Sequence, residues 1–570
     1  MDKRWASAPS PRHQLVVFAP SVDDAVPPDH AVRFLEACLS ELDWTAWEAR
    51  YDGHRGQPPI HPMLMAGGIL YGLMTGIRSS RRLEEATRVR LDFIWFLEGR
   101  TIDHTTFANF RKDHGDELKV LNRQISRLIC ERQLDAVLEL VIDGTRIRAN
   151  SDRHGARTAV ALERLIERCA KELDAKLSAL GEQDESEGLS EPDAEALESE
   201  VAALEAELEK CRQALEVARK RDEVKRKIGG KSSTPVRVPV TDSDSSILPN
   251  KEGGYAPNYT PTVAVDATSG AIVDSGVVPG GEEGAAVQPA VEASEEVTGR
   301  KPARILADSG FASGENLQAV EGKGIESYMP TGTDFRDSNP ANRPDPTQPV
   351  PQDRWNNLPR TGKRLGRAAF VYDAASDQYY CPMGKVLVRR KTGHQTRTGV
   401  AYTEYGCPGR AGCPLACECI PQKAAHRRIM RDVYQDIRDT VGRRMATPEG
   451  AQIYRRRAPI VEGVLGYIKH QMGVRHFLVR GLNKVRTEWN WVCGAYNLKK
   501  LLRLMAATAP VSGIPGAFQG PASRPTSALC RFAALFAVIY RGTRGQLLAR
   551  FRRQRRFRPF PQGSGLQVVQ

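Results

Sequence analysis

Two short apolar runs that each end in an aspartate restrict the fold of this chain more than any other feature. The run LELVID ends at Asp143, and the run RILAD ends at Asp308. Such runs, bounded by turn residues, are typical of strands buried on both faces of a sheet. A carboxylate directly after a buried strand lies near a low-dielectric core, where a neighbouring cation would stabilise it. The sequence therefore predicts an α/β domain with two acids at strand ends.

A third acid, Glu462, lies inside the helical segment IYRRRAPIVEGVLGYIKH. Two strand-end aspartates and a helix glutamate form a set of hard oxygen ligands suited to Mg²⁺ or Mn²⁺. Two such ions sharing the carboxylates can activate a water or hydroxyl on one side of a phosphodiester and stabilise the leaving oxygen on the other. Acids at strand ends are also common as plain turn residues, so the spacing alone leaves both interpretations open. Three further acids could replace a member of this set: Asp266, Asp274 and Glu488.

The intervals between the three acids are long. They measure 165 residues from Asp143 to Asp308 and 154 from Asp308 to Glu462, more than the loops of a compact core need. In the first interval, apolar residues recur at alternating steps of four and three, the heptad pattern of packed helices. The clearest series is Leu197, Val201, Leu204, Leu208, Cys211, Leu215 and Ala218. We predict an inserted antiparallel helical hairpin over residues 158–229, with an intermolecular coiled coil as the alternative.

The second interval holds a cluster of cysteines. Five of the eleven cysteines fall within 39 residues: Cys381, Cys407, Cys413, Cys417 and Cys419. Tetrahedral zinc needs four soft or borderline ligands, usually in close pairs, and these gaps are not two clean pairs. The candidate zinc ligands are Cys381, Cys407, Cys413 and Cys419, with His394 in reserve. The alternative is a group of reduced cysteines on a loop.

The N-terminal region reads as helical. Apolar stripes and candidate caps over residues 28–135 predict short helices joined by tight turns. Arginines that include Arg81 and Arg82 are interspersed, which would suit a helix-turn-helix-like DNA-binding unit. A purely structural helical bundle is the alternative interpretation.

Charge is distributed unevenly along the chain. The 570 residues carry a formal charge of +13, but residues 158–229 carry −7, so the remainder carries +20. The last segment adds an arginine cluster that includes Arg552 and Arg553 without acids among them. A field of this sign favours a polyanion such as nucleic acid, although a solvated tail is an equal alternative for the arginine cluster alone.

The composition also bears on location. No apolar run approaches the ~18 residues that a membrane span requires, and no secretory signal is recognisable at the N-terminus. An odd number of cysteines without such a signal favours a reducing cytoplasm. We therefore expect a cytoplasmic, nucleoid-associated protein with no membrane partner.

Longer motifs around the three acids resemble bacterial insertion-sequence transposases that carry an Asp-Asp-Glu triad. They are VIDGTRIRA around Asp143, LADSGFAS around Asp308, and YRRRAPIVEGVLGYIKH around Glu462. The resemblance continues through RHFLVRGLNKVRTEWNWVCGAYNLKKL and, near the N-terminus, through HPMLMAGGILYGLMTGIRSSRRLEEA and TIDHTTFANFR. It covers roughly residues 28–505.

The resemblance implies a ribonuclease-H-like mixed-sheet catalytic core in which Asp143, Asp308 and Glu462 hold two Mg²⁺ or Mn²⁺ ions. Three further matched residues, Tyr454, Arg457 and Lys469, would contact phosphates near the scissile bond. The implied partner is double-stranded DNA at transposon ends and target sites, bound by a homodimer or higher oligomer. The alternatives are a ribonuclease-H-like nuclease without strand transfer and a domesticated or inactive DNA-binding protein.

These inferences divide the chain into five parts, one of them discontinuous. They are an all-α N-terminal domain (1–135), the catalytic core (136–157, 230–332 and 430–507), the coiled-coil hairpin (158–229), a cysteine-rich insertion (333–429) and a basic tail (508–570).

Overall fold

The computed structural model describes residues 21–51, 58–131, 138–184, 191–227, 234–250, 253–395 and 398–508. The first part of the chain is helical, as predicted. Its helices are α1 (Val22–Ala25), α2 (Ala31–Ser40), α3 (Thr45–Glu48), α4 (Pro62–Met74), α5 (Ser80–Val89), α6 (Leu91–Phe96), α7 (His104–Asp113) and α8 (Gly115–Cys130).

Helix α4 lies at the centre of this helical region and is buried along almost its whole length. Two of its glycines allow this close packing. A Cβ atom at Gly67 would lie 2.2 Å from the Phe96 ring, and one at Gly72 would lie 2.4 Å from the Leu83 side chain. Larger residues at either position would push the neighbouring helices away.

A mixed sheet of seven strands follows the helices. Its strands are β1 (Glu139–Gly144), β2 (Ile147–Arg148), β5 (Ser246–Pro249), β6 (Tyr255–Asp266), β7 (Ile272–Val278), β8 (Arg304–Ala307) and β9 (Glu326–Tyr328), with the short pair β3 (Ala156–Arg157) and β4 (Val238–Pro239) outside it. Strand β6 pairs antiparallel with both β1 and β7. Strands β1, β8 and β9 run parallel to one another. This arrangement is consistent with the mixed-sheet core that the resemblance implied.

Helices cover the sheet, as the buried apolar residues of β1 require. They are α11 (Val287–Thr298), α12 (Gly314–Gly322), α14 (Gln435–Ala446), α15 (Pro448–Arg455), α16 (Arg457–His470) and α17 (Leu482–Thr508). The long helix α17 packs against β7 on one side and against α4 and α8 on the other. Trp489 and Trp491 on α17 are fully buried. The N-terminal helices and the sheet therefore share one continuous hydrophobic core.

Two long helices, α9 (Ala159–Asp184) and α10 (Glu191–Lys227), lie between β3 and β4 in the sequence. Ion pairs of 2.5 Å between Lys176 and Glu200 and of 2.8 Å between Arg219 and Glu163 show that the helices run antiparallel. Several members of the predicted apolar seam are buried, among them Val201, Leu208, Cys211 and Ala218. These contacts are consistent with an antiparallel pair, and its role as an insertion into the core stays a prediction.

The cysteine-rich segment contains a second sheet that the sequence analysis did not predict. Five antiparallel strands follow one another in chain order: β12 (Val371–Asp373), β13 (Gln378–Tyr380), β14 (Val386–His394), β15 (Ala401–Gly406) and β16 (Arg428–Asp432). A small hairpin, β10 (Arg360–Thr361) and β11 (Arg364–Leu365), precedes them, and the short helix α13 (Ala416–Cys419) lies between β15 and β16. This sheet has its own hydrophobic core.

No helix within the described ranges combines the length and apolar character needed to cross a bilayer.

The central parallel strands should set the stability of the main sheet. Leu306 in β8 is completely buried, whereas Leu177 on α9 is 44% exposed. Leu306→Ala should lower the unfolding free energy by roughly 2–5 kcal/mol because it leaves a cavity in a close-packed core. Leu177→Ala serves as the matched control and should change it little. Urea unfolding of both variants, followed by fluorescence, checks this; equal losses for the two would contradict the assigned core.

Candidate active site

The sheet places the two predicted aspartates side by side. Strands β1 and β8 pair in parallel, with Ile142 opposite Ala307, and Asp143 and Asp308 each come directly after these partners. Because carboxyl ends of parallel strands meet at one edge of a sheet, both side chains reach the same edge. The structure therefore brings together two residues that are distant in the chain.

Asp143 lies in a largely enclosed setting. Its Oδ2 forms a 3.0 Å ion pair with Nη1 of Arg457, and its Oδ1 accepts a 2.9 Å hydrogen bond from the backbone N–H of Gly144. Burial raises the pKa of Asp143, the guanidinium of Arg457 opposes this increase, and the charge of Asp308 adds to it. The carboxylate is thus held in place by Arg457, but this one cation does not offset the whole effect of burial and of the Asp308 charge on its pKa.

Asp308 is half-buried, and no lysine or arginine within the described ranges forms an ion pair with it. Its Oδ1 accepts a 2.7 Å hydrogen bond from the backbone N–H of Gly310 and caps the 3₁₀ turn Ser309–Phe311. This cap orients the carboxylate towards the edge that Asp143 occupies.

Helix α16 carries three of the remaining predicted residues and packs against β1. Arg457, at its first position, pairs with Asp143, and Lys469 donates a hydrogen bond to Oγ1 of Thr145 just beyond β1. Glu462 lies between these two contacts along the helix, and its side chain is exposed. The seven-residue spacing places Glu462 and Lys469 on one face of α16. Tyr454, on α15, has its ring centre 5.9 Å from Cζ of Arg457.

A fourth carboxylate, which the sequence analysis did not single out, lies against this cluster. Glu283 begins the 3₁₀ turn Glu283–Ala286 after β7. A Cβ atom at Gly144 would lie 2.9 Å from the carboxyl carbon of Glu283. Burial raises the pKa of Glu283, and the charges of Asp308 and Asp143 raise it further. The only sequence signal was an acidic pair in a glycine-rich turn, GGEEG, which by itself predicts a surface loop.

Hard oxygen donors dominate the site, which suits Mg²⁺ or Mn²⁺. The carboxylates of Asp143, Asp308 and Glu462 do not, however, all lie within 4.8 Å of one another. Among the described residues, one group of three side chains meets that criterion, Glu84, Asp103 and His104 in the N-terminal helices. There His104 Nδ1 lies 2.7 Å from Glu84 and 3.2 Å from Asp103, and Asp103 caps α7, so helix capping and ion pairing account for the group.

The three acids held in reserve have other partners. Glu488 pairs with Arg78 at 3.0 Å and accepts hydrogen bonds from the backbone around Leu478. Asp266 is buried in the turn after β6, where it accepts a hydrogen bond from the Ser269 N–H. Asp274 lies in β7. Asp266 lies opposite Leu140, towards the other end of β1, and Asp274 is separated from β1 by β6.

The predicted DNA-binding arginines fall into two groups. Arg81 and Arg82 are exposed on the first turn of α5. Arg552 and Arg553, with the tail from residue 509 onward, lie outside the described residues. Arg78, close in sequence to the first group, instead donates to the carbonyls of Gly473 and His476 and so ties the N-terminal helices to the segment before α17. Arg111 donates to the Arg78 carbonyl, and burial lowers the pKa of Arg111 to about 10.

The predicted zinc ligands converge in the second sheet region. Cys381, Cys407 and Cys419 are buried and Cys413 is half-buried, whereas Cys417 is exposed. Burial raises the pKa of Cys419 to about 12, and the other three thiols contribute further increases. The backbone N–H of Arg427 donates a 3.2 Å hydrogen bond to Sγ of Cys407. No three of these sulfur atoms lie within 4.8 Å of one another, and His394 lies at the far end of β14.

Two family descriptions match parts of the chain. Residues 380–502 match the Transposase DDE domain, and residues 20–113 match the Transposase domain family (DUF772). No curated protein matches the chain. The first match includes Glu462, the three residues Tyr454, Arg457 and Lys469, and the clustered cysteines; Asp143 and Asp308 lie outside both. Together the matches indicate a transposase and are consistent with the insertion-sequence class that the motifs resembled.

The negative charge of the site should lower the stability of the metal-free protein by a measurable amount. The pKa of Glu283 is raised in the folded chain. The free energy of unfolding therefore falls once the pH exceeds the pKa of a glutamate in the unfolded chain, about 4.3. Glu283→Gln removes this penalty. We expect it to raise the melting temperature at pH 7 in EDTA, with the gain shrinking as the pH falls towards 4.

Thermal denaturation over this pH range checks the expectation. Glu282→Gln, one residue earlier in the same turn, is the matched control. A melting temperature for Glu283→Gln that equals or falls below that of the wild type at every pH would show that no such penalty exists.

Proposed function

We propose that this chain, which carries two transposase domains, is an insertion-sequence DNA transposase with Asp143, Asp308 and Glu462 as its catalytic triad. In the first step, water attacks the phosphodiester at an element end, and the bond between phosphorus and the 3′-oxygen breaks. In the second, the freed 3′-hydroxyl attacks a target phosphodiester and displaces its 3′-oxygen. Each attacking oxygen loses its proton as the new bond to phosphorus forms.

The observation that carries the proposal is the adjacency of Asp143 and Asp308 at the ends of two parallel strands. Helix α16, which contacts the same strand end, supplies the third acid from within the region that matches the transposase DDE domain. Asp143 and Asp308 thus border one edge of the sheet, and α16, which carries Glu462, contacts the end of β1 through Arg457 and Lys469. An acid that served only as a turn residue would not need a half-buried arginine partner such as Arg457.

The donor set fits a pair of Mg²⁺ or Mn²⁺ ions, since it contains only carboxylates and has a single direct cation. Such ions would supply Lewis acidity to the attacking and leaving oxygens. Asp143, Asp308 and Glu462 do not all lie within 4.8 Å of one another, so we propose that Asp143 and Asp308 would hold the ions and that Glu462 would complete the site from α16.

The cations on α15 and α16 have a positioning role in this proposal. Arg457 fixes the Asp143 carboxylate by a 3.0 Å ion pair, and Lys469 fixes the loop after β1 through Thr145. Both side chains remain close enough to the edge to contact DNA phosphates, and a preorganised cation there would offset charge that develops in the transition state. Tyr454 stacks near Arg457 and would limit its movement.

The DNA partner follows from the transposase matches and from the positive charge outside the helical pair α9–α10. Arg81 and Arg82 on α5 would contact the element end as part of the N-terminal domain, and Arg552 and Arg553 would add nonspecific affinity. We propose that a homodimer or higher oligomer binds the two ends of the element in the cytoplasm at the nucleoid. The pair α9–α10 and residues 333–429 would be insertions into a ribonuclease-H-like core.

Cleavage of DNA by triad variants tests the proposal. Asp143→Asn, Asp308→Asn and Glu462→Gln should each abolish cleavage of a labelled element-end duplex in Mg²⁺ while leaving folding and DNA binding intact. The amide preserves the side-chain shape but removes the charge that binds the cation. Glu449→Gln, which changes an exposed acid on α15, is the control and should cleave normally.

The same assay separates the alternatives. Cleavage without any joined product in the presence of a target plasmid would indicate a nuclease that lacks strand transfer. Binding without cleavage by the wild-type chain would indicate an inactive DNA-binding protein. Normal cleavage by any one triad variant would remove that residue from the triad.

We also propose a structural zinc site formed by Cys381, Cys407, Cys413 and Cys419. Cys381, Cys407 and Cys419 lie in the hydrophobic core of the second sheet and Cys413 packs against it, which supports this proposal. Two further backbone N–H groups, of Met383 and Lys385, favour the thiolate of Cys381. The sulfur atoms would move closer together around the ion and release protons as they bind it.

Metal analysis of the purified full-length chain tests the zinc site. The wild type should contain one zinc ion per chain, and Ser at any of the four cysteine positions should reduce this and lower the melting temperature. Cys417→Ser is the matched control, since Cys417 lies within the cluster but is exposed. A wild-type chain without zinc, or a loss of zinc in the control alone, would contradict the assignment.

A further inference from the structure

Glu283 is not a member of the proposed triad, but it lies beside two of the triad residues. It follows β7, which is separated from β1 by β6 in the sheet, yet its turn returns over the end of β1. A Cβ atom at Gly144 would lie 3.1 Å from each carboxylate oxygen of Glu283. The carboxylate thus lies directly against the residue that follows Asp143, in space that any side chain at position 144 would occupy.

The same carboxylate also borders Asp308. A Cβ atom at Gly310 would lie 3.0 Å from Oδ1 of Asp308 and 3.8 Å from Oε2 of Glu283. The two oxygens therefore lie close to one point in space, above the turn that Asp308 caps. Glycines at 144 and 310 leave this volume open, so the carboxylates of Glu283 and Asp308 border it from two segments of the chain, next to the residue that follows Asp143.

The partners of the three carboxylates differ. Asp143 has Arg457 and a backbone N–H, and Asp308 has a backbone N–H. Within the described part of the chain, no hydrogen bond or ion pair engages the carboxylate of Glu283. The charge of Arg146 acts on Glu283 and opposes the increase in its pKa, but the Arg146 side chain donates its 2.6 Å hydrogen bond to the Pro249 carbonyl.

The turn is held in place without the help of its glutamate. Nδ2 of Asn316 donates to the carbonyl of Gly284 at 2.8 Å and to that of Phe311 at 3.0 Å, so it ties the Glu283 turn to the turn after Asp308. The backbone therefore presents Glu283 to the aspartates through contacts independent of its own side chain. A half-buried carboxylate that is held beside two others and lacks a donor is unfavourable unless a cation joins them.

We propose that Glu283 is a fourth carboxylate of the metal centre, where it binds a divalent cation together with Asp308 and Asp143. The inference rests on the proposed function, because the cation is the one that the triad would hold. Glu283 adds negative charge to a site whose direct cation, Arg457, is already paired with Asp143. Its position at a loop between β7 and α11 makes the centre depend on four chain segments rather than three.

Binding of Mn²⁺ to the full-length chain, followed by electron paramagnetic resonance without DNA, tests the inference. Four proteins are compared: the wild type, Asp143→Asn, Glu283→Gln and the control Glu282→Gln. We expect Asp143→Asn and Glu283→Gln each to weaken Mn²⁺ binding by at least about tenfold, since even residues that only orient a metal ligand cost about 10–100-fold. Glu282→Gln should bind as the wild type does.

Thermal denaturation with and without Mn²⁺ distinguishes a metal ligand from a structural residue. Glu283→Gln should melt no lower than the wild type in EDTA but gain less from added Mn²⁺. A variant that melts lower in EDTA and binds Mn²⁺ normally would show a structural role and overturn the inference.

The outcomes also separate this inference from the proposed function. Wild-type affinity in Glu283→Gln with loss in Asp143→Asn would overturn the role of Glu283 and leave the triad standing. A wild-type chain that binds no Mn²⁺ and cleaves no element-end DNA would overturn both.

Discussion

The parallel pairing of β1 with β8 is the constraint on which the site depends. It sets Ile142 opposite Ala307, and this register alone brings Asp143 next to Asp308 across 165 residues of chain. A shift of one residue would turn one aspartate into the core and its neighbour towards the site. The two strands tolerate no such shift, because their apolar residues are fully buried and a slip would bury charge.

Electrostatic contacts attach helix α16 to the sheet edge at which Asp143 and Asp308 lie. Arg457 at the start of α16 is the direct cation for Asp143, so docking of α16 against β1 and partial neutralisation of the site are the same event. The helix is held in turn by the contact of Lys469 with Thr145. The acids that face the edge still outnumber this cation, so the fold retains electrostatic repulsion that a divalent cation would relieve.

The strands that carry Asp143 and Asp308 could be predicted from sequence because buried parallel strands leave a local signal, an apolar run followed by a turn. Glu283 left no such signal. Its turn returns over β1 through contacts with Asn316, and these depend on the folded positions of β7 and α12.

The heptad steps predicted α9 and α10, but the sequence analysis did not predict the five-strand sheet. Strand β14 contains a run of exposed basic residues, VLVRRKTGH, without the alternation that indicates a half-buried strand.

The most direct test of the account is where divalent cations bind in the folded chain. Crystals soaked in Mn²⁺ and measured at a wavelength where manganese scatters anomalously would locate the ions without reference to activity. The account predicts anomalous peaks between Asp143 and Asp308 at the carboxyl ends of β1 and β8. Peaks elsewhere, with none within coordination distance of either aspartate, would contradict it.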